Sequence, residues 1–222
     1  DEDEDGNPIG EFDDTPKNFG RIAQATARSV IMQRLRDADD QRVFGDFAGR
    51  EGQVITGTVQ APRPGRPTMV QVSDDFEAVL PDGEKTAGET YRHGDRIRAY
   101  IVGVERTERG PRITLSRTHP NLVAGLFQRE VPEIQQGLVK IKAIAREAGH
   151  RTKIAVVATR DGINAKGACI GPMGARVRSV MAELGGEKID IVDYSDDPAR
   201  FVANSLSPAR VTRVVVHSVD NR

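Results

Sequence analysis

The chain has 222 residues, 37% of them hydrophobic and none of them tryptophan, a length and composition that suit two modest cores better than one large one. Its net charge of −1 averages two unlike parts: residues 1–14 carry eight acids and no base, and the remainder sets 32 bases, 25 of them arginine, against 25 acids. The single cysteine, Cys169, excludes an internal disulfide, and no apolar run reaches membrane-spanning length, so a reducing, cytoplasmic setting without a membrane partner is expected.

Residues 1–17 read as an exposed acidic turn or tail. The spacing then predicts a helix over 18–46, with Phe19, Ile22, Ala23, Ala27, Val30, Ile31, Leu35 and Ala38 on one face. Its other face carries Arg21, Arg28, Arg34 and Arg36. A one-sided apolar stripe calls for something to bury it.

From residue 50 the period changes. Short β-like runs at 52–61, 68–72, 76–80, 95–104 and 112–115 are separated mostly by Pro- and Gly-rich turns. Five antiparallel strands in 50–118 suit a small closed barrel, and an OB fold is the natural candidate. Phe76, Tyr91 and Tyr100 are the few rings it offers for base stacking. With arginine and proline filling the stretch 62–67, any RNA contact there is expected to be electrostatic and weakly selective.

A helix is expected over 119–137, bent or restarted at Pro132. Strands follow at 138–145 and 152–159, then a short helix at 164–170, a Gly-x-x-Gly turn, a helix at 175–184 ended by Gly185-Gly186, and a strand at 187–194. A helix at 197–206 and a strand at 211–219 close the chain.

The turn reads Ile170-Gly-Pro-Met-Gly-Ala-Arg-Val177. Alone it would serve equally as a ligand-free connection between helices. Between two short helices flanked by strands it is the KH signature, whose GXXG loop clamps the backbone of about four nucleotides. The expected physics is that Gly171 and Gly174 let the main chain approach phosphates because no Cβ intervenes. The next helix presents free N–H groups and a positive dipole end. The candidate RNA-binding residues are Gly171, Pro172, Met173 and Gly174 in the loop, with Lys166, Arg176 and Arg178 beside it to meet phosphates. Ile163 and Ile170, with Val177 and Ile191, are candidates for an apolar groove floor.

Catalysis is not expected. His93, His119, His150 and His217 are scattered without metal-ligand spacing, no phosphate-binding glycine loop with its lysine occurs, and Cys169 sits in an apolar run typical of a small buried residue. No cofactor or metal is expected. The residues leave three readings: a single-stranded RNA-binding module, a protein-interaction scaffold with RNA secondary, and the accessory region of an RNA-processing enzyme.

A set of ordered blocks runs from about residue 12 to 216. It includes Thr15-Pro-Lys-Asn-Phe-Gly-Arg-Ile-Ala23, Glu77-Ala-Val-Leu-Pro81, Leu115-Ser-Arg-Thr-His-Pro120, Glu130-Val-Pro-Glu-Ile134 and Glu183-Leu-Gly-Gly-Glu-Lys-Ile-Asp-Ile-Val192. In these blocks the chain resembles the NusA family of bacterial transcription factors. The resemblance implies an α+β multidomain fold: a connector helix at 18–49 from a polymerase-binding domain, an S-one OB-type barrel at 50–118, a first KH domain of the prokaryotic type II at 119–194, and the opening helix and strand of a second KH domain at 195–222. It implies a fragment lacking most of the polymerase-binding domain and the second GXXG. It further implies regulation of elongation, pausing, termination and antitermination, with nascent single-stranded RNA, RNA polymerase and other Nus-type elongation factors as partners. The alternative is a scaffold on the polymerase. One departure stands out: Pro172 and Met173 bring no base to a loop where a basic residue is common.

Overall fold

In the computed structural model, residues 19–63, 65–74, 76–107 and 110–216 are described. The acidic segment 1–17 lies outside them. The chain divides into two compact units, 1–46 and 47–222. In the first, α1 (Phe19–Phe47, which runs one residue into the second unit) is the helix its 3–4 spacing predicts. Its stripe lies on the surface: Ile22, Val30, Ile31 and Leu35 are each more than half exposed.

The second unit opens with β1 (Val54–Val59), β2 (Thr68–Ser73), β3 (Phe76–Leu80), β4 (Arg96–Thr107) and β5 (Gly110–Ser116), closed as a barrel in the order β1-β2-β3-β5-β4. Alternation fills it: Ile55 and Val59, Ala78 and Leu80, Ala99 and Ile101, Ile113 and Leu115 all point inward and are buried. Four pairings are antiparallel, and β3–β5 is parallel, with Val79 opposite Thr114. This corrects the all-antiparallel expectation for a geometric reason. Strand direction cannot alternate all the way round a ring of five, so one neighbouring pair must run together. Also unforeseen is a short 3-10 turn, Asp82–Glu84, between β3 and β4.

Next come α2 (Pro120–Glu130) and α3 (Pro132–Gln135), then β6 (Val139–Glu147), β7 (Arg151–Ala158), α4 (Ala165–Ile170), α5 (Ala175–Glu183) and β8 (Lys188–Asp193). Pro120 occupies the first turn of α2, where its missing N–H costs nothing, and Pro132 stops α2 and starts α3. The sheet order is β6-β7-β8; β6–β7 is an antiparallel hairpin and β7–β8 is parallel. A parallel return needs a crossover, and α4, the glycine loop and α5 provide it. Leu122, Leu126, Phe127, Val139, Ile154, Cys169, Val180 and Leu184 form one core between helices and sheet. The second unit is therefore a five-stranded OB-type barrel followed by a type II KH domain.

After β8, Asp197 caps α6 (Pro198–Ser205) by accepting the Ala199 N–H at 3.1 Å. The strand expected at 211–219 is not formed over 211–216, and its last three positions lie outside the described residues. A strand needs a neighbour for its N–H and C=O groups, and no described strand is pairing with this segment.

Barrel and KH domain meet without a linker. Between β5 and α2 stand only Arg117, Thr118 and His119. The His119 ring stacks on Tyr100 at 4.3 Å, and its Nδ1 accepts the Asn121 N–H at 3.1 Å. On α2, Gly125 faces β1 so closely that a Cβ there would lie 2.3 Å from Val54 Cγ2. Gly125→Ala is expected to lower unfolding stability by about 1–3 kcal/mol through overpacking against the stiff, β-branched Val54. Urea denaturation reads this directly, and an unchanged midpoint would mean that the two surfaces yield freely.

Candidate nucleic-acid interface

The loop follows from local sequence. Asn164 caps α4, its Oδ1 accepting the Gly167 N–H at 2.8 Å. Gly171 ends α4 at φ 73°, Met173 sits at φ 52° and Gly174 at φ 75°. The two glycines adopt positive φ at little steric cost, whereas Met173 pays for a conformation that side chains seldom accept. Met173 is 92% exposed, the most exposed of the large apolar residues described. Gly174 precedes α5 without any side-chain cap, so the first-turn N–H groups of α5 gain no acceptor from it.

Beside the loop an open cleft of about 290 Å³ runs along β8. Ile170 and Val177 line it from the helices, Ile189 and Ile191 from the strand, and Lys166 and Arg151 bring positive charge. β8 is an edge of the sheet, paired only with β7 among the described strands, and its residues Ile189, Asp190 and Ile191 line the cleft. Arg151 is held by Asp190 at 2.7 Å. The turn Ser207-Pro208 closes one end of the cleft, and its backbone is fixed by Lys153, whose Nζ donates to Ser207 O at 3.2 Å and also to Ser205 O.

Of the residues expected from sequence, Lys166, Ile170, Val177 and Ile191 come together in the cleft, next to the loop of Gly171, Pro172, Met173 and Gly174. Arg178 is exposed, its guanidinium folded toward Gly174: a Cβ on that glycine would lie 3.1 Å from Nη1. Two residues fall elsewhere. Ile163 packs on the edge of the KH core, as Ile170 and Val177 also do, but does not line the cleft. Arg176 is engaged within the protein: Nη1 donates to Glu133 Oε2 at 2.8 Å and to Ala168 O at 2.7 Å. Ile189 and Arg151 join the cleft without having been expected there. Strand alternation places Ile189 on the face of Ile191 and was available to reveal it, whereas nothing local signals Arg151.

Each barrel ring expected to stack bases has a partner within the protein. Tyr100 lies against His119, Phe76 against Phe47 at 6.2 Å, and Tyr91 has Lys85 Nζ 5.9 Å from its centroid while its hydroxyl donates to Glu89 at 2.6 Å. Burial and that bond push Tyr91 up to about 12. Burial likewise pushes the Cys169 thiol up to about 11, which disfavours the thiolate and with it nucleophilic chemistry. Among the described residues no group of three or more His, Cys, Asp or Glu could hold a metal ion, and no helix is long and apolar enough to cross a membrane.

Two charge networks hold this surface in place. The carboxylate of Glu187 at the head of β8 is buried and receives Arg146 Nη2 at 2.9 Å, the Gly149 N–H at 2.8 Å and the Thr152 hydroxyl. Burial alone would raise its pKa, yet these donors win and hold it below the ordinary value of 4.5. At the barrel–KH junction Arg117, 3% exposed, pairs with Glu89 through two nitrogens and donates to Arg98 O at 2.7 Å and Glu183 O at 2.9 Å. Desolvation opposes its charge, but the carboxylate partners prevail and its pKa is raised. Glu183, on α5, also accepts the Arg98 N–H at 3.1 Å and its Nη1 at 3.2 Å.

Comparison with known proteins agrees with this arrangement. The NusA-like first KH domain family matches residues 117–194. The transcription termination/antitermination protein NusA of Mycobacterium tuberculosis (strain ATCC 25618 / H37Rv) is 58% identical over 220 residues, which cover 96% of this chain and 63% of that protein. The protein of the same name from Bacillus subtilis is 46% identical over 209 residues, covering 94% of this chain and 56% of the relative. That from Thermus thermophilus is 41% identical over 201 residues, covering 90% and 52%. The chain thus spans between about half and just under two thirds of these relatives.

Proposed function

The chain belongs to the NusA family, and from that premise we propose that it binds single-stranded RNA in the cleft between β8 and the α4–α5 turn, as part of a factor regulating transcription elongation, pausing, termination and antitermination. The observation that carries this reading is the cleft itself: an apolar floor for bases, an edge strand beside it, and an exposed glycine loop leading into the N-terminus of α5 for the backbone. Charge supports it, since residues 138–194 hold ten bases against six acids. The barrel, residues 50–118, adds surface and orientation to the KH domain, residues 119–194. The helix after it we assign to the start of a second KH domain. Nascent RNA and RNA polymerase are the proposed partners, and the role is binding without catalysis.

The test is direct. Gly174→Asp, whose added Cβ would crowd only the far end of the Arg178 side chain, puts a carboxylate beside the loop and is expected to weaken binding of a labelled single-stranded RNA 12-mer at least tenfold, with the circular dichroism of the fold retained. Lys166→Glu, which leaves the loop backbone alone, is expected to weaken binding about tenfold and to flatten its salt dependence. Parent-like affinity in both variants would place RNA elsewhere or nowhere on the chain. Affinity nearly independent of salt in the parent would favour a protein-interaction scaffold.

A further inference from the structure

We infer that Arg176 is a positioning residue that braces the glycine loop from inside, in concert with Glu133, and is not one of the phosphate contacts. The functional consequence rests on the RNA-binding reading of the cleft; the brace itself rests on geometry alone.

The reasoning starts at Pro172. In a helix the carbonyl of Ala168 would accept the N–H of the residue four positions on, which here is Pro172, and proline has no N–H to give. That carbonyl, in the last turn of α4, is left without its helical donor at the point where the chain swings into the left-handed loop. Arg176 Nη1 supplies the missing donor at 2.7 Å. The same nitrogen is anchored from the opposite direction by Glu133 Oε2 at 2.8 Å, on α3, outside the β7-α4-α5-β8 unit that carries the loop. The pair is largely sheltered, with side chains 25% and 31% exposed.

The stem of Arg176 then accounts for the first glycine. A Cβ on Gly171 would fall 2.6 Å from Arg176 Cγ, 2.8 Å from Cδ and 2.9 Å from Cβ. The space that a side chain at 171 would fill is occupied by this arginine and does not open toward a ligand. Close approach of the main chain to phosphates, the reason expected from sequence, is therefore not what empties this position. Gly171, Pro172 and Arg176 form one interlocked device: proline orphans a carbonyl, arginine satisfies it, and glycine makes room for the arginine to reach.

Such a brace and a phosphate contact behave differently. Glutamate is the partner that distinguishes them, since neutralising Glu133 weakens a brace but frees an arginine to meet phosphate. The experiment uses the 222-residue chain and its Arg176→Met and Glu133→Gln variants, with two readouts. In amide exchange, the N–H groups of Gly171 and Gly174, bonded to Gly167 O at 2.9 Å and Gly171 O at 3.0 Å, are expected to exchange at least tenfold faster in both variants, while those of β8 stay within twofold. In binding of a fluorescein-labelled random 12-nucleotide RNA, both variants are expected to weaken affinity about tenfold with the slope of log K against log salt unchanged. Unchanged loop exchange overturns the brace. So does a slope reduced by about 0.7 in Arg176→Met alone, the mark of one lost phosphate contact on a single strand. If the parent binds no RNA, the RNA reading fails, and the exchange measurement still decides the brace.

Discussion

Replacing Glu187 by alanine is expected to cost about 3–5 kcal/mol of unfolding free energy at pH 7, because it strands the Arg146 guanidinium without its partner in the interior. Both side chains are essentially inaccessible, at 1% for Arg146 and 0% for Glu187. The carboxylate also holds the Gly149 N–H and the Thr152 hydroxyl, so the β6–β7 turn and the head of β8 are secured by the same group. The pH dependence follows from the sign of the shift. Folding depresses the Glu187 pKa, so the stabilisation is complete above the unfolded value of 4.5 and drains away as pH falls through the lower folded value. Urea unfolding of parent and Glu187→Ala at a series of pH values should show a wide gap at neutrality that narrows in acid. A gap that stays constant down to acid unfolding would show that the ionised form of Glu187 carries none of the stabilisation.

The second large effect is expected at Arg117. Arg117→Ala leaves Glu89 and Glu183 facing each other across the barrel–KH junction and removes the donors to two backbone carbonyls. The cost is about 3–5 kcal/mol for an ion pair broken in the interior. Because the bonds removed are those that join the two folds, unfolding should change character, from one cooperative transition to two. Arg117→Lys is expected to behave more like alanine than like arginine, since one ammonium cannot replace a fork that reaches Glu89, Arg98 and Glu183 together. Urea titration followed by hydrogen exchange in each fold checks this, and a single unshifted transition for Arg117→Ala would mean that the junction is held by apolar packing such as Gly125 on Val54.

What was legible in the sequence was what neighbouring residues decide. Alternation set out the barrel strands, the 3–4 spacing set out α1 and α2, and Pro132 marked the break before α3 because proline acts on its own turn. The glycine loop was legible by context, with strands and short helices on both sides. What pairs across long separations was not. Arg146 meets Glu187 over 41 positions, Arg176 meets Glu133 over 43, and Arg117 meets Glu183 over 66. Arginines look alike in a sequence, and the side chain that faces phosphate is distinguished from the one that braces a loop only once the chain has brought an acid to it. Ile163 was similarly undecidable: an isoleucine beside a helix cap suits a groove floor and a core edge equally. The strand expected at 211–219 had the right residue types, but β-propensity describes a fit to a neighbouring strand, and no described strand pairs with its described part, 211–216.

The open margin of β8 carries a hazard as well as a use. An edge strand carrying Ile189 and Ile191, paired on one side only among the described strands, is a template on which the same strand of another molecule can grow, the first step toward self-association. Lys188, Asp190 and Asp193 stand along that margin. Charges so placed would have to be stripped of water for a second strand to dock, which guards the strand against its own copy.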